Sequence, residues 1–319
     1  MRRILFLSML MLILVLSVAA EAAQAVELKC VAFTCQDLQN PFFKLMGDAV
    51  RKAARDIGGD GVRVLVESGD NDLAKQFRQM DDFIAAGAQI IVLNACDSEG
   101  IAPAVRRAKE AGIVVIASDV TAAGGVDATM TSDNYQAGYI VAKYIAERLN
   151  GEGSVVAIIG DPVSASLDRK RGFDDCMAEY PGIKVLSDTQ NGKGRRELSM
   201  NLMSDLLTAF PKIDAVWGVN DPTALGAELA IKQAKRDHEM FVVGVDGSPD
   251  AVASMSQPDS IFAATAAQDP YYMAYHAVEV GWEIMNGKRP EVETELIPVA
   301  LITQKEVAEG YSGWAVPQD

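Results

Sequence analysis

The chain has 319 residues, 49% of them hydrophobic and 23% charged, enough apolar material to fill two cores of ordinary size. Its formal charge of −15 at pH 7 repels phosphate backbones and anionic headgroups, which argues against nucleic-acid or peripheral membrane binding as its main task. Beyond residue 25 no stretch is long and apolar enough to span a bilayer.

In chain order, Arg2 and Arg3 precede an apolar run from Ile4 to Val18, and Ala23-Gln24-Ala25 fits a small-residue cleavage site. That pattern reads as a secretory signal peptide over 1–25; the run is short for a retained anchor. Its removal takes away two Arg and one Glu and moves the formal charge from −15 to −16. Short apolar strands then alternate with amphipathic helices. Strands are expected over 28–34, 62–67, 89–94, 114–118, 155–160, 183–187, 215–219, 241–245 and 261–266. Helices are expected over about 42–57, 71–86, 99–111, 134–150, 166–180, 196–210, 222–234 and 270–286. In "KQFRQMDDFIAAG", Phe77, Met80, Phe83 and Ile84 recur at helical spacing and Gly87 ends the run.

This alternation builds parallel sheets with helices on both faces. One doubly wound sheet does not comfortably hold so many strands, so two such α/β domains are expected, with a first boundary near 130–134, where the rhythm resets. The four cysteines, Cys30, Cys35, Cys96 and Cys176, allow three pairings. Export to an oxidising compartment permits a bridge, and Cys35 and Cys96 end strands expected to be neighbours, so a Cys35–Cys96 disulfide stands against buried free thiols.

Ligands of open α/β sheets collect at the carboxyl ends of the strands. There "VVIAS" runs into Asp119, "AVWGV" into Asn220, "FVVGV" into Asp246 and "FAATAA" into Gln268. Asn40 follows the first strand, and Arg169 in "LDRKRGF" opens a helix after the fifth. Planar acids, amides and a guanidinium without a nucleophile suit a ligand rich in hydroxyl groups, each of which donates and accepts. Phe42 and Phe43, side by side behind Asn40-Pro41, would cover the C–H face of a sugar ring; one of them is expected to face the core and the other not. Any one Asp or Asn after a strand is ordinarily a helix cap, and Asp133 and Asp221 are read as caps.

"QNPFF", "SDN", "RKRGF", "GVND", "GVDGSPD" and "ATAAQDP", in that order, resemble the periplasmic sugar-binding proteins of the ribose-binding type, over about 28–303. The resemblance implies two Rossmann-like domains, 26–131 plus 269–299 and 132–268 plus 300–319, joined by a three-crossover hinge. It also implies a periplasmic monomer, without cofactor or metal, that encloses a monosaccharide or polyol for an ABC import permease. Asn40, Phe42, Phe43, Asp119, Arg169, Asn220, Asp246 and Gln268 fall where that family contacts its sugar. Two positions depart from the ribose pattern: Val120 follows Asp119 where the ribose binders carry Arg, and Gly194 stands near their lid aromatic. These departures point away from ribose itself. Asp161 and Ser164 are substitute contacts or turn formers.

An enzyme is poorly supplied. Only His238 and His276 are present, with no nucleophile elbow, P-loop, dinucleotide fingerprint or zinc-ligand spacing. A sugar-responsive regulator would need a basic helix-turn-helix before the core. A sugar sensor serving a chemoreceptor or sensor kinase is the alternative to transport.

Overall fold

The computed structural model describes residues 26–314; the signal peptide expected over 1–25 lies outside them. Strands β1 (Cys30–Cys35), β3 (Ile90–Leu93) and β4 (Val114–Ser118) are buried along their whole length. Such uninterrupted apolar runs belong to strands covered on both faces. With β2 (Arg63–Ser68), β5 (Ala128–Ser132) and β11 (Thr294–Ile297) they form an all-parallel sheet in the order β11-β5-β4-β3-β1-β2. Successive side chains of a strand point to opposite faces. Accordingly Val31 and Phe33 join the core under helices α1 (Pro41–Gly58) and α9 (Pro270–Met285), while Ala32 joins that under α2 (Leu73–Ala85) and α3 (Ala102–Glu110).

The second sheet repeats the plan. It is ordered β12-β10-β9-β8-β6-β7, from β6 (Gly153–Ile159), β7 (Ile183–Asn191), β8 (Ala215–Gly218), β9 (Phe241–Asp246), β10 (Phe262–Ala267) and β12 (Ala300–Thr303). Only β12 runs antiparallel to its neighbour. Helices α4 (Asn134–Arg148) and α5 (Ser164–Ala178) cover one face; α6 (Arg196–Ala209), α7 (Asp221–Gln233) and α8 (Pro249–Met255) cover the other. The chain passes between the sheets three times: between β5 and α4, between β10 and α9, and between β11 and β12.

Two doubly wound α/β domains are therefore present, and the differences from the sequence reading are local. It overlooks β5, β11, β12, α8 and a short α10 (Gln304–Ala308). In β5, "ATMTS", two threonines dilute the apolar signal at the apparent reset of rhythm. All four cysteines are free thiols, so the Cys35–Cys96 bridge is not formed. Burial pushes the Cys96 thiol up to about 12 and that of Cys176 to about 11, which keeps them protonated at neutral pH.

Helices α4 and α5 make the most extensive helix–helix contact, and glycine makes it possible. A Cβ on Gly138 would lie 1.9 Å from the carbonyl oxygen of Arg169, and one on Gly172 would lie 2.0 Å from that of Tyr135. The helices meet backbone to backbone, and Arg169 is thereby set into the gap between the domains. Gly138→Ala must force them apart, so we expect it to cost about 1–3 kcal/mol in a urea unfolding titration, as overpacking does.

Candidate functional site

All eight residues singled out above line one cavity between the two sheets. Asn40 is the N-cap of α1, its Oδ1 accepting from the Phe42 N–H at 3.0 Å, which leaves its amide nitrogen free to face the cavity. Phe42 and Phe43 stand edge to face, with centroids 5.5 Å apart at 85°. The expectation that one of them stays outside the core is wrong: both are buried, at 3% and 8% exposure, and both belong to the core beneath α1 while walling the cavity.

Asp119 ends β4 in the left-handed region, φ +71°. Its N–H bonds to the Met130 carbonyl at 2.8 Å, its carbonyl accepts from Thr131 Oγ1 at 2.6 Å, and its Oδ2 accepts from Asn94 Nδ2 at 2.9 Å. These bonds hold a backbone that a non-glycine residue adopts at some cost. From the facing domain, Arg169 donates through Nε to Asn134 Oδ1 at 2.8 Å and through Nη1 to the Val219 carbonyl at 3.1 Å. Asn220 caps α7 by accepting from the Thr223 N–H, and its Nδ2 donates to the Gly194 carbonyl. Asp246, at the end of β9, has φ +138°, and its Oδ1 accepts from Gln268 Nε2 at 2.9 Å. The Oε1 of Gln268 is buried and has no donor among the described residues.

Burial dominates the electrostatics. It lifts Asp119 to about 6 against the pull of Arg169 and Asn94. Asp246 is raised well above the usual carboxylate range, first by burial and then by Asp221, with Arg169 opposing. Arg169 Nη1 stands 3.9 Å from Asp246 Oδ1, too far for a hydrogen bond, so the guanidinium offsets the desolvation of the acid only in part.

Several secondary expectations fare unevenly. Asp133 caps α4 as read, accepting from the Gln136 N–H. Asp221 does not cap α7: it is fully buried inside the first turn and accepts from the Ser248 N–H at 2.8 Å and Thr265 Oγ1 at 2.7 Å. Asp161 lines the cavity and accepts from Asn191 Nδ2. Ser164 instead ties the domains together, accepting from the Thr121 N–H at 2.8 Å. Lys193 and Arg195 also wall the cavity, and Arg195 pairs with Asp37 of the first domain at 3.1 Å. The charge cluster in "NGKGRRE" is the signal that could have found them.

A family model described as the periplasmic binding protein domain matches residues 31–289. The chain belongs to the periplasmic binding protein family. Among relatives of this family, the ribose import binding protein of Bacillus subtilis (strain 168) is 33% identical over 86% of this chain and 87% of its own. The D-apiose import binding protein of Paraburkholderia graminis is 32% identical over 91% and 92%. The crystal structure of an ABC transporter solute binding protein from Bacillus halodurans C-125 with bound myo-inositol superposes with a TM-score of 0.81 at 27% identity, covering 90% of this chain and 98% of that one. Periplasmic binding proteins of this kind are a solute-binding, non-enzymatic class, and these two relatives are named as import binding proteins for ribose and D-apiose.

The raised carboxyl groups make a prediction about pH. Asp119 and Asp221 titrate at about 6 in the folded protein against 3.8 for an ordinary aspartate. The stability they contribute is therefore fully present below pH 3.8 and is lost as pH rises through 6. A hydroxyl-rich ligand that donates to Asp119 prefers it ionised. Affinity should then fall as pH drops from 7 to 5 while the ligand-free protein is not destabilised by these two groups, and binding near pH 6 should release protons. Calorimetric titration in buffers of differing ionisation enthalpy, with thermal melts across the same pH range, checks both signs.

Proposed function

We propose that this chain is the solute-binding component of an ABC importer. It takes a monosaccharide or polyol between its domains in the periplasm, closes around it and hands it to the membrane permease, with no catalytic step. The domains that close are 26–131 with 269–299 and 132–268 with 300–319. The observation that carries the reading is the convergence of Asn40, Phe42, Phe43 and Asp119 from one sheet with Arg169, Asn220, Asp246 and Gln268 from the other upon one cavity. Neither set alone surrounds a ligand. A sugar reached by both binds the closed state better than the open one, and that difference is what drives closure.

The chemistry divides by residue. Asp119 and Asp246 accept hydrogen bonds from hydroxyl groups, Arg169 and the amide nitrogens of Asn40 and Asn220 donate to them, and Gln268 Oε1 accepts another. Phe42 and Phe43 shield the C–H surface. The apolar Val120 and the bare Gly194 both line the cavity, which favours a sugar or polyol other than ribose.

A thermal-shift screen of the purified protein against pentoses, hexoses and polyols tests the proposal, since a ligand bound only by the folded state raises its melting temperature. A shift with one member of the panel is expected; none across the panel sinks the reading. With that ligand, Asp246→Ala should weaken binding by about 10- to 100-fold, because a charged hydrogen bond is worth roughly 1.5–3 kcal/mol and each 1.4 kcal/mol is tenfold. Unchanged affinity by isothermal titration would remove Asp246 from the site.

A further inference from the structure

After β12 and α10 the chain returns to the mouth of the cavity. Tyr311 Oη donates to the Gly247 carbonyl at 3.0 Å, and Trp314 Nε1–H donates to the Asp246 carbonyl at 2.8 Å. These carbonyls belong to consecutive residues with positive φ, +138° at Asp246 and +69° at Gly247, so the tail fixes the backbone from which the Asp246 carboxylate projects. The Trp314 ring also meets Phe42 edge-on, with centroids 5.6 Å apart at 78°. Phe42 stands on α1, in the first domain; Asp246, Gly247 and Tyr311 go with the second. One side chain thus touches a cavity residue of each domain without lining that cavity itself. It walls the adjoining 510 Å³ space, which shares Asp37, Asn40, Gly194, Arg195 and Asp246 with the cavity.

We infer that Trp314 is a positioning residue that latches the closed state. Anchored to the second domain through Asp246, it offers its ring to Phe42, and that contact is made only when the first domain swings in. Closure then depends on the C-terminal tail as well as on the ligand. Phe42 is held against the cavity by the latch, and Asp246 is held in its strained conformation. The role in ligand binding rests on the function proposed above; the role in closure does not.

The two can be tested apart. Spin labels at the exposed positions Glu99 and Thr189, introduced as Glu99→Cys and Thr189→Cys in a Cys96→Ser background, report the distance between domains. The comparison is made with Trp314 intact, in Trp314→Ala and in Trp314→Phe, each without ligand and with the sugar selected by the screen. We expect Trp314→Ala to lower the closed-to-open ratio about tenfold in both conditions and to raise the Kd for the sugar by a similar factor. Trp314→Phe keeps a ring for Phe42 and loses the N–H donor, so it should fall between. Identical distance distributions in all three proteins would overturn the latch. If no sugar binds the unaltered protein, the functional reading fails while the ligand-free distances still decide this one.

Discussion

Three aspartates share one guanidinium in the heart of this molecule. Asp119, Asp221 and Asp246 are buried and act electrostatically on Arg169, and Asp246 also feels both of the other acids. Burial raises the pKa of each acid, the neighbouring acids raise that of Asp246 further, and the one guanidinium offsets this only in part. Asp221 is quieted by local bonds to Ser248 and Thr265, which makes it part of the scaffold. Asp119 and Asp246 keep acceptor capacity unspent beside the cavity. A cluster left short of hydrogen-bond donors is a standing demand for a molecule that brings them, and neutral hydroxyl groups meet it without adding charge.

The backbone is arranged to present that demand. Asp119 and Asp246 both end strands in conformations that L-residues seldom adopt, and each is tied by neighbouring strands: Asp119 through Met130 and Thr131, Asp246 through the Gln268 N–H that bonds to its carbonyl. Strain of this sort persists where surrounding bonds overdetermine it. Here it turns the carboxylates off the ends of β4 and β9, out of the sheets and into the gap between domains.

How much of this could be read from residues alone depended on the length of the signal. The long helices and the buried strands, such as "IIVL" and "VVIAS", carry composition and periodicity in one run, and their places were legible. Strands β11 and β12 were not: each spans four residues, and their pairing is decided by segments far away in the chain. The strand ends brought forward Asp119, Asn220, Asp246 and Gln268, with Asn40 and Arg169 beside them, and the aromatic pair added Phe42 and Phe43; all eight meet in space. The ordinary reading of an Asp or Asn after a strand as a helix cap holds for Asn40 and Asn220, which also line the cavity, and fails for Asp221, which is a buried tie. Trp314 was invisible because it lies far from any strand end and reaches the cleft by a returning tail. Lys193 and Arg195 were visible only as charge, without a direction.

The three passages of the chain between sheets bear on how the molecule is made. Sheet one lacks its edge strand β11 and its covering helix α9 until residues 270–297 arrive, and sheet two lacks β12 until 300–303. Neither half is a contiguous piece that could finish folding while the other is still being synthesised. Pairings so distant in sequence form slowly, because the closure of large loops precedes the contacts that reward it. The chain therefore stays incompletely folded until its last segments are in place.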